Sequence, residues 1–329
     1  MKRRRPARAA VTAAAGLLVA SHAWPQEHPP VPQPPVAALA ASPVQLDEGD
    51  PARRRIGSLL FLEGWRLQSR DVRFGGLSAM HVEDGEVIGL SDAGNLFRFR
   101  VPDRAGTAPV RIERVARGPG TGRWKGDRDV ESLVVAGNRL WLAFEGRNSI
   151  WRYRRSDTAF EAAAAPRAMA DWPTMRGAEA MLRLSDGRFL VFAEGPAAGD
   201  GTTPVLLFEG DPALSATRAV PLRYRAPAGY RPTDAAALPD GRLIILNRDV
   251  NFVGSFSARV TLADAAVLRP GALIEGREIA ALAGGVTVDN MEALSVTREE
   301  GRTILWIASD DNFTPILQQT LLLKFALLE

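Results

Sequence analysis

One pattern recurs five times along this chain and constrains the fold more than any other feature. Each copy starts with a short acidic or polar motif, passes through a turn, and continues as an apolar run that ends in a second polar cluster. In the second copy these parts are residues 129–133, the run 140–144 and Glu145. The five motifs begin at Gly76, Asp129, Gly177, Thr233 and Asn290. Self-similarity with a period of about 50 residues is typical of repeat architectures such as propellers.

The spacing inside each copy predicts a hairpin. Ser78 and Asp92 are 14 residues apart, and so are the corresponding pairs in the second and fourth copies. The third pair, Glu179 and Glu194, is separated by 15 residues and the last pair by 18. A hairpin with polar groups at both ends places them at one edge of a sheet, and a ring of such sheets is a β-propeller. We therefore predict an all-β fold, a single β-propeller with five readable repeats; a sixth blade is left open.

Two strand-like segments lie outside the repeats, one at residues 58–67 and the other at 320–328. Unpaired sheet edges invite aggregation, and pairing an early strand with a late one removes them. We therefore expect the N- and C-terminal strands to close the ring within one blade.

The first 23 residues have the composition of a secretory signal peptide. Residues 1–8 are strongly basic, 9–20 form an apolar run of 12, and small residues follow at 21 and 23. The run is shorter than the ~20 residues that a transmembrane helix needs. We predict a proline-rich tether over 24–55 and the propeller domain over 56–329. The expected location is the bacterial periplasm or the medium, by either the general or the twin-arginine route.

Charge and cysteine content exclude several classes of function. Five of the 41 Lys and Arg residues lie in the first 23 residues, so the rest of the chain holds 36 basic residues against 38 acidic ones. A mildly acidic body offers no broad positive field for nucleic acid. The chain has no cysteine, which excludes thiol nucleophiles and iron–sulfur or zinc–thiolate sites. We expect a monomer with no membrane span after processing.

The acidic residues of the repeats are the candidate site. In a ring they converge near the mouth of the central channel, where so many carboxylates need a raised pKa, an arginine partner or a hard cation. Oxygen ligands without a histidine cluster suit Ca²⁺. Alternatively, each carboxylate caps its own blade by accepting from backbone N–H groups or arginine. The predicted metal ligands are Glu131, Glu179, Glu292, Asp310, Asp92 and Asp234.

Histidine offers little to a catalytic triad. The body of the chain holds only His81, so a triad would have to combine it with Ser78. The segment 76–80 half resembles a nucleophile elbow, but Met80 replaces its second glycine. We interpret His81 as an ordinary strand residue.

The motifs also resemble a known family. The segments 74–78, 129–133, 290–294 and 309–313, in this order, are similar to the phytase-like propeller family described as having esterase-like activity of phytase. The resemblance runs from about residue 56 to the end of the chain. It implies a small-molecule ester or phosphate-containing substrate and hydrolysis of phosphate or carboxylic esters, with Ca²⁺ binding phosphate and activating water. The lysine-rich phosphate grip of true propeller phytases has no equivalent here, and Asn247 stands where an acidic residue is usual.

Two hypotheses follow, and they leave open whether the chain is an enzyme. In the first, Ca²⁺ lies on Glu131, Glu179, Glu292 and Asp310 of an ester hydrolase. Its catalytic residues would be Glu145 or Glu194 as the base and Arg248 as the anion contact. In the second, the same ring holds a structural cation and the propeller binds a ligand without turnover.

Overall fold

A computed structural model describes residues 35–115, 117–122, 124–195, 200–250 and 256–328. The predicted signal peptide lies outside these ranges. Within them the chain forms 23 β-strands and four short 3-10 turns, and no α-helix. None of the described segments forms a helix that is long and apolar enough to cross a membrane. The first strands are β1 (Val36–Pro43), β2 (Arg55–Ile56) and β3 (Leu59–Ser69).

Each predicted repeat forms an antiparallel blade. Blade 1 is β4 (Leu77–Glu83), β5 (Glu86–Ser91), β6 (Asn95–Arg100) and β7 (Gly106–Arg114). Blade 2 is β8 (Val130–Ala136), β9 (Arg139–Phe144), β10 (Ser149–Arg154) and β11 (Phe160–Ala164). Blade 3 is β12 (Ala178–Arg183), β13 (Phe189–Ala193), β14 (Thr203–Phe208) and β15 (Ala219–Arg225).

The last two blades use strands from elsewhere in the chain. Blade 4 is β16 (Arg231–Ala237), β17 (Leu243–Val250), β18 (Phe256–Ala263) and β20 (Arg277–Leu282). The short strand β19 (Leu273–Glu275) lies between β18 and β20 along the chain, and it pairs in parallel with β15 of blade 3. Blade 5 is β21 (Met291–Glu299), β22 (Arg302–Ser309), β23 (Thr320–Leu327) and β3.

The inner strands close a five-membered ring. β4 contacts β8, β8 contacts β12, β12 contacts β16, β16 contacts β21, and β21 contacts β4. The all-β propeller prediction is therefore confirmed. The described residues form five blades and leave none for a sixth.

Alternating side chains hold neighbouring blades together. In β9, Leu140, Leu142 and Phe144 pack into the cluster shared with blade 1, whereas Trp141 and Ala143 pack into the cluster shared with blade 3. This follows from the two-residue period of a strand, which directs successive side chains to opposite faces of a sheet. Because both faces are buried, the apolar runs of the repeats are nearly continuous.

The N-terminal strands close the ring, as predicted, but the folded body begins earlier than predicted. β3 pairs with β23, with Leu67 opposite Thr320. β1, which falls in the predicted tether, pairs with both β3 and β7 and so joins blades 5 and 1 into one sheet. Leu39 and Ala41 of β1 are buried in the apolar cluster between those blades. Among the described residues, strand pairing thus begins at Val36 rather than near Ile56, and burial alternates along β1, with Leu39 and Ala41 on its buried face.

Candidate functional site

A β-bulge occurs at the same place in all five inner strands. In each strand the pairing with the next strand skips one residue close to the start. Bulges of this kind redirect a side chain and are common beside functional sites. The skipped residues are Ser78, Glu131, Glu179, Thr233 and Glu292.

This register changes the position predicted for the fourth repeat. The sequence spacing aligned Asp234 with the bulge glutamates, but the skipped residue is Thr233, and a shift of one residue reverses the face of a strand. The carboxylate of Asp234 accepts hydrogen bonds from the backbone N of Ala235 (2.8 Å) and from the backbone N of Leu294 in blade 5 (2.7 Å). Burial raises the pKa of Asp234 well above its ordinary value. The structure thus places Asp234 against backbone donors that link blades 4 and 5.

A second ring of polar residues ends the second strand of each blade. The backbone N of Asp92 donates to Gly76 O (3.0 Å), and that of Glu145 donates to Asp129 O (2.9 Å). These bonds bring the end of the second strand beside the start of the inner strand. The members of this ring are Asp92, Glu145, Glu194, Arg248 and Asp310. Together with the bulge residues they form what we call the channel mouth.

Carboxylates from separate blades interact at the channel mouth. Burial raises the pKa of Glu131 well above its ordinary value, and the charges of Asp129, Glu179 and Glu145 add to the effect. Burial does the same for Glu179, with further contributions from Glu194, Glu145 and Glu292. The structure therefore brings Glu131, Glu179 and Glu292 together around the axis.

Three carboxylates of blade 2 lie close enough together to hold a metal ion. One oxygen from each of Asp129, Glu131 and Glu145 lies within 4.8 Å of the others. Asp129 and Glu145 are buried and Glu131 is half-buried. Asp129 was not among the predicted ligands, although it opens the motif that contains Glu131. Its backbone pairing with Glu145 is what brings it into the group, and that pairing was implicit in the 14-residue spacing.

Lys125 and Asp92 lie beside this group. The Lys125 Nζ is 3.3 Å from Asp92 Oδ2 and 3.7 Å from Asp129 Oδ1. Burial opposes the charged lysine, but the carboxylates prevail and raise its pKa to about 12. The other oxygen of Asp92, Oδ1, is buried and has no hydrogen-bond partner in the described part of the chain. A buried carboxylate oxygen without a donor is costly, so a cation would stabilise it.

Glu145 also connects two blades. Its Oε1 accepts a hydrogen bond from the backbone N of Gly177 in blade 3 (2.9 Å). Burial, followed by the charges of Asp129 and Glu194, raises the pKa of Glu145 to about 8. Asp311 acts similarly between blades 5 and 1, because its Oδ1 accepts from the backbone N of Gly76 (2.9 Å).

The opposite side of the channel mouth is neutralised by arginine. Arg248 Nη1 is 2.8 Å from Glu292 Oε1, and its Nη2 is 3.7 Å from Glu194 Oε1. Arg231 and Arg176 lie 3.3 Å and 3.9 Å from the carboxylate of Glu194. Burial raises the pKa of Glu292 to about 7, although Arg248 acts in the opposite direction.

The remaining predicted residues have these positions. Asp310 Oδ1 accepts from the backbone N of Asn312 (2.6 Å), and burial, followed by the charges of Asp92 and Glu292, raises its pKa well above the ordinary value. Ser78 Oγ donates to Val130 O of blade 2 (2.7 Å). His81 Nε2 is buried and has no hydrogen-bond partner among the described residues. Ser78 is therefore engaged with the backbone, which does not favour a triad.

Two solved structures with a similar fold can be compared. The calcium-binding protein regucalcin from Agrobacterium tumefaciens is 9% identical, with coverage of 78% of this chain and 93% of that chain and a TM-score of 0.43. The β-propeller domain of Cps50 from Myceliophteria thermophila is 14% identical, with coverage of 71% and 65% and a TM-score of 0.38. These similarities are too weak to indicate function. No curated protein sequence matches the chain significantly.

A family model is more informative. The model described as phytase-like, esterase-like activity of phytase, matches residues 72–313, which is well over half of the chain. The match spans all five bulges and the whole channel mouth. The chain therefore belongs to the phytase-like family.

Proposed function

We propose that the channel mouth binds a hard divalent cation, Ca²⁺, and that the bound cation serves the hydrolysis of phosphate or carboxylic esters. The observation that carries this proposal is the group of Asp129, Glu131 and Glu145, whose oxygens lie within 4.8 Å of one another. Such a set of oxygens fits a cation that prefers carboxylate ligands. The unpartnered Asp92 Oδ1 supplies a fourth oxygen on the same side.

Each residue of the site has a defined task in this proposal. Asp129, Glu131, Glu145 and Asp92 hold the cation, which would polarise an ester oxygen and acidify a bound water. Glu194 lies between this side and the arginine side and is the remaining candidate for the base. Arg248 orients Glu292 and Glu194 through ion pairs and, being 17% exposed, retains a donor surface for an anionic group. Glu179 is a further carboxylate near both sides, since the charges of Glu145 and of Arg248 act on it.

The test is hydrolysis by the chain without residues 1–23. We expect turnover of p-nitrophenyl phosphate or p-nitrophenyl acetate with Ca²⁺, and its loss with EDTA. Glu131→Gln removes one ligand and should abolish the Ca²⁺-dependent turnover. Glu48→Gln is the matched control, because Glu48 is exposed and belongs to none of the five repeats. Equal activity of the two variants would refute the site.

A second candidate is a non-catalytic propeller with a structural cation. The observation in its favour is that Lys125 and Arg248 already neutralise much of the channel mouth, and that Glu145 and Asp311 accept backbone bonds between blades. In that case Ca²⁺ should raise the melting temperature while no substrate is turned over. The two candidates are separated by measuring melting and turnover on the same samples.

Export is a further part of the proposal. It rests on the basic, apolar and small-residue order of the first 23 residues. N-terminal sequencing of the protein from a periplasmic extract should give a chain that starts at Trp24. A chain that keeps Met1 would contradict it.

A further inference from the structure

A cavity of about 350 Å³ opens between blades 1 and 2 beside the channel mouth. Its wall includes the turn after β5, the end of β7, the glycine-rich segment 117–122 and Phe144. Arg128 and Phe144 of the wall directly precede Asp129 and Glu145, so the cavity adjoins the carboxylate group without sharing its ligands. A cavity of this size is in the range of small-molecule sites.

The charge of the cavity wall is positive. Its charged side chains are Arg114, Arg117, Arg128 and a single acid, Asp127. The Asp127 carboxylate is already saturated. One oxygen accepts from Arg147 Nε (2.9 Å) and Nη2 (2.6 Å), and the other accepts from the backbone N of Thr121 (2.9 Å) and of Gly122 (3.1 Å). Asp127 therefore fixes the glycine-rich segment, and its ion-pair partner is Arg147, which does not line the cavity.

None of the three wall arginines forms an ion pair with a carboxylate in the part of the chain that the structure describes. Arg128 Nη2 donates to the backbone oxygen of Gly122, and the Arg117 guanidinium lies 4.7 Å from the centre of the Phe160 ring. Arg114 is exposed at the end of β7. Arg114 and Arg128 thus line the same cavity, and neither forms an ion pair with Asp127, the acid of that wall.

Two arginines that line one cavity and form no ion pair among the described residues are best stabilised by a bound oxyanion, which accepts their charge-assisted hydrogen bonds. We propose that this cavity binds a phosphate group through Arg114 and Arg128. Two positive charges match a phosphate dianion better than a single carboxylate. Val115, Pro119 and Phe144 form an apolar part of the same wall, which suits the organic portion of a phosphate ester. The inference does not depend on hydrolysis at the channel mouth.

The test is calorimetric titration of the chain without residues 1–23 in EDTA, so that no cation at the channel mouth contributes. Inorganic phosphate and phenyl phosphate are the two ligands. Both should bind, and Arg114→Ala should weaken both by about tenfold or more, because a charge-assisted contact is lost. Arg114→Lys keeps the charge but loses the planar guanidinium group, so its affinity for both ligands should lie between those of the wild type and of Arg114→Ala. Arg277→Ala, which removes an exposed arginine from blade 4, should bind like the wild type.

The two ligands separate the sources of the phosphate group. Tighter binding of phenyl phosphate assigns the cavity to organic phosphates, whereas equal binding assigns it to the free ion. Absence of binding at ligand concentrations up to about 10 mM overturns the proposal, because a dissociation constant above that value corresponds to only a small free energy of binding. Equal effects of Arg114→Ala and Arg277→Ala overturn it as well. Since turnover is not measured, failure here is distinct from failure of the proposed hydrolase.

Discussion

Removal of the Arg248 side chain should destabilise the propeller more than removal of any exposed arginine. Arg248 and Glu292 come from neighbouring blades, and their side chains are only 17% and 10% exposed. Arg248→Met keeps most of the apolar stem but leaves Glu292 and Glu194 without this cation. Breaking one side of a buried ion pair costs about 3 to 5 kcal/mol, and the residual exposure places the expected loss near the lower end.

The assay is urea denaturation followed by tryptophan fluorescence, in EDTA at a pH of about 8. Arg218→Met is the matched control, because Arg218 also forms an ion pair, with Glu209, but the two side chains are 68% and 41% exposed. Its cost should stay below about 1 kcal/mol. The double variant Arg248→Met with Glu292→Gln should recover part of the loss, since the uncompensated carboxylate is then neutral. If Arg248→Met and Arg218→Met cost the same, the reasoning on the arginine side of the channel mouth is wrong.

Three further predictions concern stability. Burial raises the pKa of Glu145 from about 4.5 to about 8. The contribution of the protonated Glu145 to the free energy of unfolding is therefore fully present below about pH 4.5 and is lost as the pH rises towards 8. In EDTA the melting temperature should fall over that interval, and a rise would contradict the assignment. Leu39→Ala in the buried face of β1 should cost about 2 to 5 kcal/mol, whereas Val36→Ala, 48% exposed in the same strand, should cost under about 0.5 kcal/mol; equal costs in denaturation would show that β1 is not packed. Gly76→Ala places a Cβ 2.3 Å from an aromatic carbon at a φ of 64°, whereas Gly301→Ala at a φ of 80° meets nothing within 4 Å; only the first should exceed the backbone cost of about 1 to 2 kcal/mol in the same assay.

The repeats made the architecture predictable, because both period and spacing are local properties of the chain. Each hairpin is encoded within about 20 residues, so the position of the inner strands and of Glu131, Glu179 and Glu292 followed from counting. The closure by β3 and β23 followed from the need to remove free sheet edges.

The details that escaped prediction depend on contacts between distant parts of the chain. A bulge adds one residue to a strand without a distinct sequence signal, so Asp234 rather than Thr233 was aligned with the glutamates. The strand β1 pairs with β7, some 70 residues away, and its alanine-rich sequence carries little strand preference. The ion pair between Arg248 and Glu292 joins two blades. Only the folded ring shows which carboxylates pair with arginine and which accept hydrogen bonds from backbone N–H groups.

Titration of Ca²⁺ against an indicator dye is the most direct test of the central claim that acidic side chains from the repeats form a cation site. The wild-type chain without residues 1–23 should compete for Ca²⁺ with a defined stoichiometry. Glu131→Gln should weaken this competition about tenfold or more, because a carboxylate ligand is lost, and Glu48→Gln should leave it unchanged. Failure of the wild type to compete, or an equal effect of both substitutions, would contradict the account.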